Sequence, residues 1–388
     1  MRREGWLLPA AIAALLFLVA CACAYGGLLS HARPGDTSIY AKYGRLLVED
    51  GRIPYRNFYD EYPPGSVPVF ALPAIIWNAH YVLVFKLLMS ACGVGFVACA
   101  AWILARLRLS PLRLAPIVLA PVLMGPVFLN RYDPVTALLT ALALVAVLRG
   151  RDRSTGLLLG AATAMKIYPA VAAVVAAWRV RDRVGAAVAY LGAGAVLFIP
   201  FFVLAPGGVG FSLWTQLKRH LQIETIGSSV LLTLDKLGVY DAHANVGMSI
   251  DLGGTVPDVV GALSTILSLA LVGLVVWAYR RGRDNDARLV TAFAAALAGF
   301  TIFGKVLSPQ YLTWILPFVP LAAGRRGIYA AATFVAALAL TQPYSYGGHL
   351  RYFDWTVWAL LARNALLVAT FVLLYSALRR GAASARAS

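Results

Sequence analysis

The chain has 388 residues, 60% of them hydrophobic and 13% charged, with 34 lysines and arginines against 17 acids and a net charge of +17. Its mean hydropathy is +0.75, which excludes a soluble domain of this size because a soluble surface needs more charge. The basic excess does not mark nucleic-acid binding either: its arginines fall in short clusters between apolar runs, as the positive-inside rule arranges them in a polytopic helical membrane protein.

With the N-terminus in the cytoplasm, the apolar runs predict spans at 7–29, 81–105, 114–129, 134–148, 184–205, 258–280, 288–303, 309–323, 327–342 and 355–378. That makes about ten crossings of roughly 30 Å of hydrocarbon and a cytoplasmic C-terminus. The first run is long, and no clear small-residue cleavage site follows it, so it reads as a signal anchor rather than a cleaved signal peptide. Arg2/Arg3, Arg106/Arg108/Arg113, Arg149/Arg151/Arg153, Arg179/Arg181/Arg183, Arg280/Arg281/Arg283/Arg288, Arg325/Arg326 and Arg379/Arg380/Arg386 then face the cytoplasm, with anionic lipid headgroups as partners. Cys21, Cys23, Cys92 and Cys99 lie inside apolar helices and read as small packing residues.

Residues 30–80 form the first external loop. Its stretch from His31 to Gly65 carries Asp36, Asp60 and Glu61 among tyrosines, arginines and prolines. A chain of this composition has little need of carboxylates there unless they bind or react. Asp36 either caps a helix beginning at Thr37 or, partly desolvated near the headgroups, acts as a base. Asp60 and Glu61, ahead of the Pro63-Pro64 pair, can orient a sugar, bind Arg52 and Arg56, or sit in a solvated turn. A metal is the weaker reading, since no second ligand cluster declares itself. The apolar stretch 66–80, broken by Pro68 and Pro73, predicts an interfacial helix anchored by Trp77.

Further along, Arg131 and Asp133 sit at an external helix junction, where they either pair with each other or meet a ligand. Residues 156–178 are flanked by arginine clusters on both sides and are too short to cross twice. Because the residue before a proline is pushed out of helical geometry, Lys166-Ile167-Tyr168-Pro169 predicts two half-helices in a re-entrant hairpin, tolerated only if buried against protein. Lys166 faces either a phosphate or the interface, which it reaches by snorkelling. The second long external loop, 206–257, carries Lys218, Arg219, His220, Gln222 and Glu224; Lys305, Gln310 and Tyr311 follow a later span, and 343–354 forms another external loop. All five histidines (His31, His80, His220, His243 and His349) fall on this external side. Lys218, Arg219, His220 and Lys305 suit a phosphate leaving group. No internal repeat or soluble domain is evident, so residues 1–388 read as one all-α transmembrane domain, with a cytoplasmic tail at 379–388 whose end, GAASARAS, reads as disordered.

These pieces form an ordered series: Gly35-Asp36-Thr37-Ser38-Ile39-Tyr40, Gly51-Arg52-Ile53-Pro54-Tyr55, Tyr59-Asp60-Glu61-Tyr62-Pro63-Pro64-Gly65, Arg131-Tyr132-Asp133, Lys166-Ile167-Tyr168-Pro169, Leu221-Gln222-Ile223-Glu224 and Lys305-Val306-Leu307-Ser308-Pro309-Gln310-Tyr311. The series resembles that of the multispanning GT-C glycosyltransferases, in particular the bacterial polyprenol-phosphate-mannose-dependent α-mannosyltransferases of glycosyltransferase family 87. The resemblance implies a GT-C fold and a lipid-linked sugar donor used outside the cytoplasm, with the catalytic acid, here Asp36, in the first external loop. It implies an inverting displacement. Asp36 takes the acceptor's proton, and polyprenyl phosphate leaves toward Lys166, Lys305, Arg131 or His220. Tyr40, Tyr55, Arg56, Asp60, Glu61, Tyr62, Asp133, Gln222, Glu224, Gln310 and Tyr311 then become candidates to hold sugar or acceptor, and segment 66–80 with its neighbouring spans makes the prenyl groove. No cofactor or metal is required. The partners are a polyprenyl-phosphate sugar, a glycolipid or glycan acceptor and the plasma-membrane lipids. A transporter or flippase is the alternative; it predicts paired broken helices in repeated halves.

Overall fold

The computed structural model describes residues 5–25, 36–247, 249–282, 284–341 and 354–383. Outside the described residues lie Arg2/Arg3, residues 26–29 of the first span, His31, Gly35 at the head of the first motif, Arg283, most of loop 343–354 with His349, and Arg386 with the end of the tail.

In chain order the helices are α1 (Leu7–Tyr25), α2 (Asp36–Val48), α3 (Val67–Trp77), α4 (Tyr81–Arg106), α5 (Ala115–Met124), α6 (Pro126–Leu129), α7 (Asp133–Leu148), α8 (Asp152–Met165) and α9 (Pro169–Ala176). They continue with α10 (Arg183–Leu204), α11 (Pro206–Leu217), α12 (Ile226–Lys236), α13 (Thr255–Arg280), α14 (Asp286–Phe303), α15 (Leu312–Ile315), α16 (Gly324–Ala339) and α17 (Thr356–Ala383). Among the described residues, six helical segments are long and apolar enough to cross a membrane: Leu7–Tyr25, Pro64–Arg106, Arg183–Leu204, Thr255–Arg280, Asp286–Phe303 and Thr356–Arg379. This is a polytopic helical membrane protein, and the four remaining expected spans are shorter or broken. The run 114–129 divides at Gly125 into α5 and α6, and α7 and α16 have 16 residues each. The run 309–323, expected as a helix, is a succession of short turns with only α15 as a piece of α-helix. Every residue from Leu312 to Ala322 is buried, the one circumstance in which irregular backbone is tolerated at membrane depth.

Helix polarity separates the chemistry into two ends. α7 begins at Asp133 and is followed by Arg149; α14 begins at Asp286 and ends two residues before Lys305; α13 starts three residues before Asp258 and ends at Arg280. The arginine clusters among the described residues therefore share the end opposite the motif residues. There they are tied as well as solvated: Arg106 pairs with Asp286 at 2.7 Å, Arg179 with Asp284 and Asp286, and Arg113 donates to the carbonyls of Pro320, Ala322 and Gly324. Arg288 joins two helices from inside, donating to the carbonyls of Ala278 and Tyr279 in the last turn of α13 and of Leu378 in α17.

α14 is the central helix, buried on all sides from Arg288 to Gly299. Its run Ala294-Ala295-Ala296 and Gly299 give neighbours close access to the backbone. α10 is the converse, with no buried residue and Val184, Val188, Leu191, Val196 and Ile199 largely exposed, as expected of a lipid-facing helix. It packs on α8 through Gly156 and Gly160, where an added Cβ would lie 2.0 Å from the Ala186 carbonyl oxygen and 2.1 Å from that of Tyr190.

The re-entrant hairpin is present. α8 runs inward and stops at Lys166, α9 starts at Pro169, and both outer ends return to the arginine side. Asp152 ties those ends together by accepting from the backbone of Arg181 and Asp182 at 3.0 and 2.8 Å. The all-α expectation needs one addition. Loop 206–257 contains a small antiparallel sheet, β1 (Leu221–Gln222), β2 (His243–Val246) and β3 (Ile250–Gly253), in the order β1-β3-β2. These strands are too short to register as a period in the sequence.

Candidate active site

Asp36 is the first residue of α2. Its carboxylate forms an ion pair with Arg131 and accepts from the Tyr62 hydroxyl at 3.3 Å. The neighbouring Thr37 hydroxyl donates to the Asn130 carbonyl at 3.2 Å, so α2 is tied to the 130–133 junction at two successive residues. Both Asp36 and Arg131 keep about a fifth of their side chains exposed, 20% and 22%. The pair is reachable yet partly desolvated.

The 49–65 segment sets Tyr62. Its amide donates to Asp60 Oδ1 at 2.9 Å, and its carbonyl accepts from the Tyr55 hydroxyl at 2.5 Å. Tyr55 has φ 67°, a left-handed conformation uncommon outside glycine and a frequent mark of functional loops. Gly65 explains the close of the motif: an added Cβ would sit 2.5 Å from the Ala164 backbone, so a side chain there would part this loop from the α8–α9 break. Behind it, Tyr40 is buried and stacked on Phe70 at 4.5 Å, with Tyr62 and Tyr132 edge-on at 5.4 and 5.8 Å.

At the break, Lys166 pairs with Asp133 at 2.6 Å, and the Trp314 indole donates to the same oxygen at 2.5 Å. The ammonium also lies over the rings of Tyr132, Tyr311 and Trp314 at 4.4, 5.4 and 5.3 Å, a cation–π enclosure. Arg131 and Asp133 therefore do not pair with each other: Asp133 takes Lys166 and Arg131 takes Asp36.

Next to this centre is a cavity of about 450 Å³ lined by Lys218, Arg219, His220, Lys305 and Asp258. His220 Nδ1 is 2.9 Å from Asp258 Oδ1, Lys305 donates to the Leu217 carbonyl at 2.9 Å, and Arg219 reaches the Tyr311 hydroxyl at 3.4 Å. Burial, with Arg219 nearby, holds the Lys305 ammonium below its usual pKa. Three cations and a histidine around one acid give the cavity a predominantly basic lining. Glu61 connects the two regions. Burial raises its pKa, while the Tyr62 hydrogen bond and then the charges of Arg219 and Lys166 pull it back down, and its carbonyl accepts from Gln216 at 3.0 Å.

Sequence reasoning brought Asp36, Arg131, Lys166, Asp133, Glu61, Tyr62 and Tyr311 to one place, with His220 and Lys305 in the adjoining cavity. The burial of several other candidates is not legible in the sequence. Tyr40, Tyr55, Asp60, Gln222 and Glu224 are all buried and frame the site rather than line it. Gln222 holds the Leu307 amide at 2.8 Å and Ser308 at 3.0 Å, joining the two later motifs, and the Glu224 carbonyl accepts from Arg363 and Asn364. A polar side chain at a motif position does either job, and sequence does not tell them apart. Arg56 is exposed and Gln310 half-buried. Reading residue by residue also missed Trp314 and Asp258. Trp314 resembles any apolar core residue, and its polar role depends on Asp133, 181 positions away.

Comparison with known proteins bears on the family and the fold. The sequence profile of glycosyltransferase family 87 matches residues 61–309. Over 196 residues, 48% of this chain, the sequence is 30% identical to polyprenol-phosphate-mannose-dependent alpha-(1-2)-phosphatidylinositol mannoside mannosyltransferase from Mycolicibacterium smegmatis. The matched part spans 41% of that relative's length. Among solved structures, ArnT from Cupriavidus metallidurans bound to undecaprenyl phosphate aligns over 99% of this chain and 78% of its own, with a TM-score of 0.50 and 14% identity. The likeness is one of fold. Asp36 precedes the profile match, but its two side-chain partners, Tyr62 and Arg131, lie within it.

Proposed function

The chain belongs to glycosyltransferase family 87 and has the GT-C type of membrane fold; from that premise we propose that it transfers a hexose, mannose foremost, from a polyprenyl-phosphate donor to a lipid or glycan acceptor. The reaction takes place at the extracytoplasmic face of the plasma membrane, with both termini in the cytoplasm. The polyprenol-phosphate-mannose named for the mycobacterial relative and the undecaprenyl phosphate bound to ArnT support this donor class. The position of the arginine-rich end opposite the site supports the orientation.

The observation that carries the reading is the Asp36 carboxylate, held by Arg131 and Tyr62 beside a cavity rich in cations. A general base has to be ionised before it can take a proton, and a guanidinium in contact is a partner suited to the ionised form. The acceptor hydroxyl attacks the anomeric carbon as Asp36 removes its proton. The bond from that carbon to the phosphate oxygen breaks on the opposite face, with inversion. The departing phosphate keeps the electron pair, and Lys218, Arg219, His220 and Lys305 hold its charge. Of the four phosphate ligands expected from sequence, Lys305 and His220 line the cavity with Lys218 and Arg219 and take this role, whereas Lys166 and Arg131 lie outside its lining and are paired with Asp133 and Asp36. Glu61, Tyr62, Gln310 and Tyr311, all half-buried, receive the sugar or acceptor. No metal is needed to neutralise the leaving group.

Reconstitution in liposomes with polyprenyl-phosphate mannose, arabinose or glucose, or with a nucleotide sugar, tests this. Transfer from a polyprenyl-phosphate hexose supports the reading. Transfer from the nucleotide sugar alone overturns it.

A further inference from the structure

Adjacent Asp60 and Glu61 have different surroundings. Glu61 is half-buried and feels Arg219 and Lys166. Asp60 is 1% exposed; its Oδ1 accepts from the Tyr62 amide at 2.9 Å, and its Oδ2 has no hydrogen-bond partner. A group so enclosed cannot touch a sugar. It does grip the residue whose hydroxyl donates to Asp36 at 3.3 Å. The Tyr55 hydroxyl grips the same residue from the other side, at the Tyr62 carbonyl, and the strained backbone of Tyr55 fits a loop held in one conformation by such contacts.

We propose that Asp60 is a positioning residue that acts through Tyr62: it fixes the backbone of Tyr62 so that the hydroxyl remains on Asp36 while Asp36 takes the acceptor's proton. This rests on Asp36 being the base. Burial pushes the Asp60 carboxyl up to about 7, against the pull of the Tyr62 amide and with a smaller push from Glu61. A neutral amide is therefore a fair replacement, since its oxygen accepts the same bond.

The test pairs transfer kinetics with a cryo-electron-microscopy map of one variant. Asp60→Ala should lower kcat about tenfold to a hundredfold, as expected for a misplaced catalytic group, and leave the donor KM within threefold. Asp60→Asn should restore kcat to within threefold of wild type. Asp60→Ala combined with Tyr62→Phe should be no slower than Tyr62→Phe alone, because both act on one hydroxyl. In the Asp60→Ala map the Tyr62 hydroxyl should have left hydrogen-bonding distance of Asp36. Losses that multiply in the double variant, a tenfold rise in donor KM for Asp60→Asn, or an unmoved Tyr62 would each overturn the proposal. If the wild-type protein transfers no sugar from any polyprenyl phosphate, the enzymatic reading fails, and the map still decides whether Asp60 holds Tyr62.

Discussion

Replacing Lys166 should cost more stability than replacing the carboxylate it holds. Asp133 is 1% exposed at its side chain against 13% for Lys166, and both of its donors, the ammonium and the Trp314 indole, converge on Oδ1. Lys166→Met keeps the bulk and leaves a buried carboxylate with the indole alone. Removing one partner from a buried ion pair costs about 3–5 kcal/mol, and the surviving indole bond puts this case toward the lower figure. Asp133→Asn leaves an amide that still accepts from Trp314 and an ammonium that retains its aromatic enclosure, a loss nearer the 1–2 kcal/mol of an ordinary buried hydrogen bond. The double variant, with no unpaired charge, should be more stable than Lys166→Met. Denaturant titration in detergent can follow the buried thiols Cys21, Cys92 and Cys99 as they become reactive on unfolding. Asp133→Asn matching or exceeding Lys166→Met, or a double variant no better than Lys166→Met, would refute the reasoning.

The helix contact at Gly160 gives a second prediction: Gly160→Val drives a side chain toward the Tyr190 carbonyl and should destabilise the detergent-solubilised protein by about 1–3 kcal/mol, the usual cost of overpacking. In the basic cavity, Lys218→Ala and Lys305→Ala should each raise the donor KM roughly tenfold, the loss of about one charge-assisted hydrogen bond, as measured by initial rates against donor concentration. Asp60 gives a pH dependence. Its carboxyl keeps its proton up to about pH 7 when folded, against the ordinary 3.8, so the stability it favours is fully present at the acid end. That stability is lost as pH rises from about 4 through 7, by an amount on the order of 4 kcal/mol. Unfolding of Asp60→Asn should lack this component of the pH slope. Transfer should also withstand EDTA, since cavity cations rather than a metal carry the leaving-group charge; recovery of activity only on adding a divalent ion would count against that.

The parts of the fold that were legible in sequence are those set by local chemistry. Continuous apolar length marked α1, α10, α13 and α17, and the proline after Tyr168 between two arginine clusters marked the re-entrant pair. The run 309–323, expected as a helix, is not legible as turns because apolar composition is common to a continuous helix and a buried chain of turns, and only contact with surrounding helices permits the latter. In the site, Asp36 was legible as a carboxylate in a setting that discourages carboxylates. Its partner was not. Arg131 stands two residues from Asp133 in sequence, yet the chain turns into α7 between them and sends each to a different element. Burial was the other blind spot: Asp60 and Glu61 are neighbours with the same charge, yet the fold encloses Asp60 and leaves Glu61 half-buried.

The most direct test of the account is the rate of sugar transfer from polyprenyl-phosphate mannose by reconstituted Asp36→Asn, with wild-type folding verified by thiol protection. A positioned general base contributes about a hundredfold to ten-thousandfold, and the account predicts a loss in that range with donor binding retained. A well-folded Asp36→Asn protein that transfers within a few-fold of wild type would remove Asp36 from the chemistry and contradict the account.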